Sequence, residues 1–166
     1  SAVLLAAIMI TGCGSSSYKE IEIGNQVWMA KNLNVHKFRN GDSITHVETK
    51  EEWATAGNKE IPAWCYYDND PANGEKYGKL YNWYAVNDPR GLAPEGWHIP
   101  TDEEWKTLEM ELGMSLAEAY SSNSRGTNEG SKLAGNADLW DDGDLENNSE
   151  FGSSGFTALP GGMRSG

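Results

Sequence analysis

The sequence has little positive charge and no hydrophobic run long enough to cross a membrane. Only 13 of its 166 residues are Lys or Arg, against 25 Asp or Glu, which gives a net charge of −12. Such a surface repels phosphate groups and offers no basic stripe that would release counterions, so nucleic acid is excluded as a partner. The apolar run at residues 2–10 has nine residues, whereas a membrane-spanning helix needs about 20.

The N-terminal residues 1–12 are predicted to be the remaining part of a signal peptide. The apolar run has the length of a signal-peptide core, and no initiator Met or basic leader precedes it, so the segment is interpreted as N-terminally incomplete. The sequence ITGC at residues 10–13 resembles the lipobox of bacterial lipoproteins. That resemblance implies that Cys13 is lipidated, and residues 13–17 are expected to form the lipidated Cys and a flexible tether.

A lipidated Cys13 predicts how the protein is held in the cell. Several acyl chains anchor a protein to a bilayer without any segment that spans it. We therefore expect an exported protein that is attached by lipid to the bacterial membrane, at the outer membrane or the cell surface. The membrane is one predicted partner, and the sequence leaves the oligomeric state open.

Residues 18–166 are predicted to form one α+β domain of short antiparallel strands with two or three short helices. Residues 18–30 alternate around Gly24-Asn25, a composition typical of a hairpin turn. Two segments carry Thr, then Glu three residues later and Trp at the next position, which is a capping box at the start of a helix. These begin at Thr49 and at Thr101. No βαβ alternation is present, which favours α+β.

Other segments are assigned by composition. Residues 61–67 are rich in aromatic residues and predict a strand, residues 68–76 predict a loop, and residues 131–134 predict a brief strand. Residues 77–86 are apolar without a clear period, so strand and helix both remain open. Ser115 and Glu118 predict one more capped helix, and Gly113 predicts the end of the helix that begins at Thr101.

Two acidic segments are candidates for ligand binding. Asp141, Asp142 and Asp144 stand beside Trp140 on a Gly-rich stretch, where carboxylates and an aromatic ring suit calcium or a sugar. A solvated acidic loop explains the same residues. Residues 68–74 lie near the spacing of a calcium loop, but Pro71 breaks that pattern and turn chemistry accounts for them. The sequence assigns no metal ligand and no cofactor, with calcium kept as an alternative.

The sequence lacks the common catalytic motifs. No Gly-rich phosphate loop, nucleophile elbow or HExxH zinc motif is present. If Cys13 carries lipid, Cys65 is the remaining thiol, and no Cys-His spacing supplies a base for it. His98 has no second His or Cys at ligand spacing, which favours a surface histidine. No catalytic residue is therefore assigned.

Four motifs in a fixed order resemble the Fibrobacter succinogenes major paralogous domain. They are IGNQVWMAKNLN at 23–34, YGKLYNW at 77–83, GWHIPT at 96–101 with Glu104-Trp105, and GFTALPGG at 155–162. The resemblance implies a relative of the C-type lectin-like fold, with a helix start similar to that of sulfatase-modifying enzymes. It also implies a place in secreted or lipoprotein chains of gut and cellulolytic bacteria.

The resemblance further implies that the domain is C-terminally truncated. Members of the family continue beyond Gly161-Gly162 to a closing strand that carries a Cys, and Cys65 is expected either to pair with that Cys or to be a buried, inert thiol. The leading hypothesis is a lipid-anchored surface module that binds glycan or a surface protein without catalysis. The alternatives are a sulfatase-modifying enzyme whose catalytic part is missing and a structural or adhesive spacer.

Overall fold

The computed structural model describes residues 8–9, 18–122 and 124–165. Cys13 and the rest of the tether lie outside the described residues, as does most of the predicted signal peptide. The boundaries at residues 1–12, 13–17 and 18–166 therefore stay predictions. Within the described ranges, no helix is both long enough and apolar enough to span a bilayer.

The described chain is α+β, as predicted from the sequence. Its strands are β1 (Ile8–Met9), β2 (Glu20–Ile23), β3 (Gln26–Met29), β4 (Thr45–His46), β5 (Ala63–Cys65), β6 (Leu80–Tyr81) and β7 (Trp97–His98). Its α-helices are α1 (Lys50–Asn58), α2 (Pro71–Tyr77), α3 (Trp83–Val86), α4 (Asp102–Glu111), α5 (Leu116–Ala119) and α6 (Glu129–Leu133). The helices outnumber the two or three that were expected. The C-type lectin-like form of the fold stays a prediction.

The described residues form two compact units. The first unit contains residues 8–9, 32–99 and 161–165, and the second contains residues 18–31, 100–122 and 124–160. The first unit therefore holds α1, α2, α3 and the strands β1 and β4 to β7. The second holds the β2–β3 hairpin and the remaining helices.

The first unit is built on a three-stranded sheet in the order β4-β5-β6. The β5–β6 pair is antiparallel, with Trp64 opposite Tyr81, but the β4–β5 pair is parallel, with Thr45 opposite Ala63. The expectation of antiparallel strands therefore holds only in part. The pair is parallel because α1 lies between β4 and β5 in the chain. This crossover returns the chain to the end of the sheet where β4 began, so that β5 runs in the same direction.

Helix α1 covers one side of this first-unit core. Its fourth residue is Trp53, which is 4 % exposed, and Ala56 follows three residues later on the same face. Both contact a buried cluster that includes Cys65 and Leu80. Cys65 is a free thiol with no exposed surface, and burial raises the pKa of that thiol, an effect that the nearby Arg164 guanidinium partly offsets.

The second unit is organised around Trp28, which is fully buried in β3. Its ring lies 4.9 Å from that of Trp105 in α4 and 5.6 Å from that of Phe156, measured between ring centroids. The turn of the β2–β3 hairpin is at Gly24, where a φ of +59° suits a residue without a Cβ. The predicted hairpin is thus confirmed, and Phe156 is buried against it.

All three predicted helix starts are confirmed as capping boxes. They pair Thr49 with Glu52, Thr101 with Glu104, and Ser115 with Glu118. In each box the hydroxyl accepts a hydrogen bond from the Glu backbone N–H, and the Glu carboxylate accepts one from the cap residue. Helix α4 ends at Glu111 with Leu112 as its C-cap, and the predicted stop residue Gly113 follows with a φ of +116°.

The prediction of a loop over residues 68–76 is wrong. A 3-10 turn covers Tyr67–Asn69, and α2 begins at Pro71. The Asp70 carboxylate accepts a hydrogen bond of 2.9 Å from Ala72 N, so Asp70 caps the helix. Proline suits the first helical position, since its missing N–H has no intrahelical partner there. The Asp-Pro pair outweighs the turn composition of the residues around it.

The prediction of a strand over residues 131–134 is also wrong, because these residues belong to α6 and its end. Lys132 N donates to Asn128 O at 3.0 Å, and Ala134 N donates to Gly130 O at 3.0 Å. Only Ala134 takes part in a β-bridge, with Ala158. Four residues are too few for hydrophobic period to separate a strand from a helical turn.

Candidate functional site

The structure fixes Trp140 through its indole N–H. Trp140 follows a 3-10 turn at Ala137–Leu139 in the second unit and is half-buried. Its Nε1 donates a hydrogen bond of 3.0 Å to the carbonyl oxygen of Gly135. An indole has only this one donor. The indole N–H of Trp140 therefore stabilises the fold and is not available to a ligand.

The carboxylates next to Trp140 are exposed and do not converge. Asp141 and Asp144 lie at the surface, and Asp142 accepts a hydrogen bond of 2.9 Å from Asn147 Nδ2. The same amide donates to the carbonyl oxygen of Gly143 at 2.8 Å. The polar groups of this stretch therefore bond to one another. Among the residues that the structure describes, no three His, Cys, Asp or Glu side chains are grouped to hold a metal ion. Calcium binding here remains a hypothesis.

Asp144 lines a cleft that Trp140 does not line. It lines a second-unit cleft of about 440 Å³ together with Met114, Arg125 and Leu145, and Trp140 is not among the lining residues. Arg125 at this cleft is already paired with Glu109 at 2.9 Å. The structure thus places the predicted site residues on one stretch of chain without assembling them into one pocket.

A different cleft, in the first unit, carries an aromatic platform. It has a volume of about 370 Å³ and is lined by uncharged residues: Trp53, Ala54, Gly57, Asn58, Asn82, Trp83 and Tyr84. Pockets of 300–1,000 Å³ are typical of small-molecule sites. We call it the Trp83 cleft.

Asn82 sets the position of this platform. Its Oδ1 accepts hydrogen bonds of 3.0 Å from both Ala63 N and Ala85 N, and its Nδ2 donates to Ile61 O at 2.8 Å. Asn82 is thereby the N-cap of α3 and a link from α3 to β5. Trp83 follows as the first helical residue, and its side chain remains 63 % exposed. An exposed tryptophan held on a rigid support is a surface on which a flat ligand can stack.

The polar groups around Trp83 are available to a ligand. Within the described residues, the Trp83 indole N–H, the Asn58 amide and the Tyr84 hydroxyl have no hydrogen-bond partner, and Asn58 is exposed. Trp53 lies at the buried end of the cleft. One ring face with several donors and acceptors, and no charge, is the chemistry that recognises a neutral sugar.

Sequence reasoning missed this cleft. Residues 77–86 leave strand and helix open, so no face could be assigned to Trp83 or Tyr84. The signal was present in Asn82, since Asn is a preferred N-cap residue and a helix that starts there leaves Trp83 at its first turn. Asn58, which completes the cleft, is 25 positions earlier in the chain and carries no local signal.

The comparisons with known proteins place the chain in a family but give no individual relative. Residues 21–166 match the family described as the Fibrobacter succinogenes major domain. A search of curated proteins found no match. A search of solved structures found none either. The match covers every residue of the Trp83 cleft and of residues 140–144, which we call the acidic loop.

Proposed function

The chain belongs to the Fibrobacter succinogenes major domain family, and from this premise we propose that it is a lipid-anchored surface module that binds a neutral glycan without catalysis. The lipobox-like ITGC sequence at residues 10–13 supports the anchor. Within the proposal the domain is a relative of the C-type lectin-like fold. The single observation that carries glycan binding is the exposed Trp83 indole at the rim of an uncharged cleft.

The Trp83 cleft supports this function better than the acidic loop does. Trp83 exposes its ring face and keeps its N–H unbonded within the described chain, whereas Trp140 is half-buried and donates to Gly135. A sugar ring stacks its C–H face on an aromatic ring and places its hydroxyls in the surrounding plane. Asn58 and Tyr84 supply the hydrogen-bonding groups in that plane.

The test is a glycan array with the purified protein, followed by calorimetric titration of the best neutral oligosaccharide. We expect Trp83→Ala to weaken binding at least tenfold, about 1.4 kcal/mol, because the stacking surface is lost. Trp83→Phe retains a ring face and should keep part of the affinity. Since Trp83 is exposed, thermal unfolding should show that both variants fold as the wild type does.

Matched controls separate the two candidate sites. Asp141→Asn removes an exposed charge from the acidic loop and should leave the affinity unchanged. Removal of calcium with a chelator should also leave it unchanged, because no carboxylate lines the Trp83 cleft. If Trp83→Ala binds as tightly as the wild type, while Asp141→Asn or chelation abolishes binding, the glycan site is the acidic loop and our assignment is wrong.

A further inference from the structure

The first unit contains another cleft, which shares no lining residue with the Trp83 cleft. Its volume is about 390 Å³. The residues that matter to its chemistry are Lys50, Tyr66, Tyr67, Asp68, Asn69 and Arg164. We call it the basic cleft, since two cations and one carboxylate leave these residues with a net positive charge.

The two cations of the basic cleft have no acid partner within the described residues. Arg90 is paired with Asp88 at 2.8 Å, and Arg125 and Lys106 also contact carboxylates. Lys50 and Arg164 form no ion pair within the described residues, as is true of several other Lys and Arg residues, but these two line the same cleft. The positive charges of Lys50 and Arg164 are therefore available to an anionic ligand.

The position of Lys50 does not stabilise helix α1. It is the first residue of α1, directly after the Thr49 cap. A cation at a helix N-terminus opposes the helix dipole, at a cost of about 0.3–1 kcal/mol. Helix stability therefore does not explain a lysine at this position, whereas attraction of an anion to the cleft does.

Contacts with Asn69 and Trp53 hold the Arg164 guanidinium in one orientation. Its Nη1 donates a hydrogen bond of 2.5 Å to Asn69 Oδ1, and its guanidinium carbon lies 5.7 Å from the centroid of the Trp53 ring. The buried Cys65 thiol is a further neighbour. A guanidinium has five N–H donors in a planar fork. One donor bonds to Asn69 and another is directed at Cys65, which leaves three for a carboxylate. A carboxylate accepts two hydrogen bonds from such a fork.

The backbone beside Arg164 is strained. Asp68 and Asn69 have φ values of +53° and +55°, so two consecutive residues with side chains adopt the left-handed conformation. Each such residue costs on the order of 1 kcal/mol or more, and such strain is concentrated at ligand sites. Asn73 Nδ2 donates to Tyr67 O at 3.0 Å and supports the turn. The strained turn brings Asn69 Oδ1 to the guanidinium.

Two tyrosines complete the cleft. Tyr66 and Tyr67 are half-buried, and within the described chain their hydroxyls have no hydrogen-bond partner. Gly74 lies directly under the Tyr66 ring and Gly162 under the Tyr67 ring, since a Cβ at either position would overlap the ring. The rings are thereby fixed, while their hydroxyls remain available to a polar ligand.

We propose that the basic cleft binds an acidic sugar residue of the uronic acid class. The Arg164 fork and Lys50 hold the sugar carboxylate, and the Tyr66 and Tyr67 hydroxyls bond to the ring hydroxyls. The volume accommodates one monosaccharide. That the carboxylate belongs to a saccharide rests on the proposed function, whereas the recognition of a carboxylate rests on the cleft alone.

The experiment is calorimetric titration of the full chain with trigalacturonate and, as the neutral match, galactotriose. We expect trigalacturonate to bind, and its affinity to fall when salt is raised from about 0.05 to 0.5 M, because the attraction between charges is screened. Arg164→Gln should weaken this binding at least tenfold, and Lys50→Gln several-fold. Arg164→Lys should restore part of it, since the charge returns without the fork.

Control variants distinguish failure of this site from failure of the Trp83 cleft. Arg125→Gln removes a cation from the second unit and should not change the binding of trigalacturonate. Trp83→Ala should weaken the binding of neutral glycan and leave the binding of trigalacturonate unchanged. Absence of trigalacturonate binding to the wild type, or undiminished binding to a folded Arg164→Gln variant, would overturn the proposal. Equal binding of an acidic tripeptide would overturn its assignment to a saccharide.

Discussion

At the scale of single residues, Lys79 is a buried cation without a buried acid. It is 5 % exposed, and its Nζ donates to the carbonyl oxygen of Asn34 at 3.2 Å and to the side-chain oxygen of the same residue. The ammonium group also lies 4.6 Å from the Trp64 ring centroid and 5.2 Å from that of Tyr66. Carbonyl oxygens and ring faces thus replace water around the charge. Burial lowers the pKa of Lys79.

We predict a pH dependence of stability that belongs to Lys79. Because its pKa is lower in the folded protein, the unfolded chain binds more protons at alkaline pH, and stability rises as pH approaches the ordinary lysine pKa of roughly 10.4. Lys79→Met should remove this rise. The measurement is the free energy of unfolding in urea, at intervals between about pH 7 and 10.5.

Lys106 provides the matched control for that measurement. Hydrogen bonds to Asp102 and Glu103 raise the pKa of Lys106, so its contribution to stability is lost, rather than gained, as pH rises through the folded pKa. Lys106→Met should therefore leave the alkaline rise in place. A rise in Lys79→Met equal to that of the wild type would mean that another group causes it.

At the scale of secondary-structure elements, short sequence patterns correctly predicted the helices that begin with a capping box. A capping box lies within four consecutive residues, so Thr49, Thr101 and Ser115 could each be recognised without any knowledge of the fold. Helices α2 and α6 were missed for opposite reasons. The Asp70-Pro71 start signal lay among turn-forming residues, and α6 has no side-chain cap.

We predict that Thr49→Ala lowers the free energy of unfolding by about 1 kcal/mol, the usual cost of losing an N-cap. In the structure Glu52 N donates to Thr49 Oγ1 at 3.1 Å, and Thr49 N donates to Glu52 Oε2 at 3.0 Å. The measurement is urea denaturation at neutral pH. Thr55→Ala, at an exposed position inside the same helix, is the control and should be neutral or slightly stabilising. Equal losses in both variants would contradict a specific role of the cap.

At the scale of the whole molecule, the sequence sufficed for the fold class and the family but not for the sites. The α+β class and the family, which covers residues 21–166, are confirmed. Both clefts of the first unit join residues that are far apart in the chain, such as Lys50 with Arg164 or Asn58 with Trp83. The parallel pairing of β4 with β5 is likewise non-local. No pattern within a short window reports such contacts.

The predicted lipid anchor is tested on the whole protein in cells. We expect Cys13→Ser to abolish labelling with radioactive palmitate and to move the protein from the membrane fraction to the soluble fraction. A chain with a net charge of −12 has no electrostatic attraction to anionic lipids that would hold it there without acyl chains. Cys65→Ser, which removes a buried thiol, is the control and should keep the label. Full labelling of Cys13→Ser would disprove the anchor.

The amide of Asn82 bears on how related domains diversify. All three of its hydrogen-bond partners are main-chain groups, at Ile61, Ala63 and Ala85. Inherited substitutions at those three positions, proline excepted, change side chains but leave these main-chain partners in place. Copies of the domain that retain Asn82 can therefore keep the Trp83 indole in place while the residues at the rim of the cleft vary. Under the proposed function, that variation changes which sugar is bound.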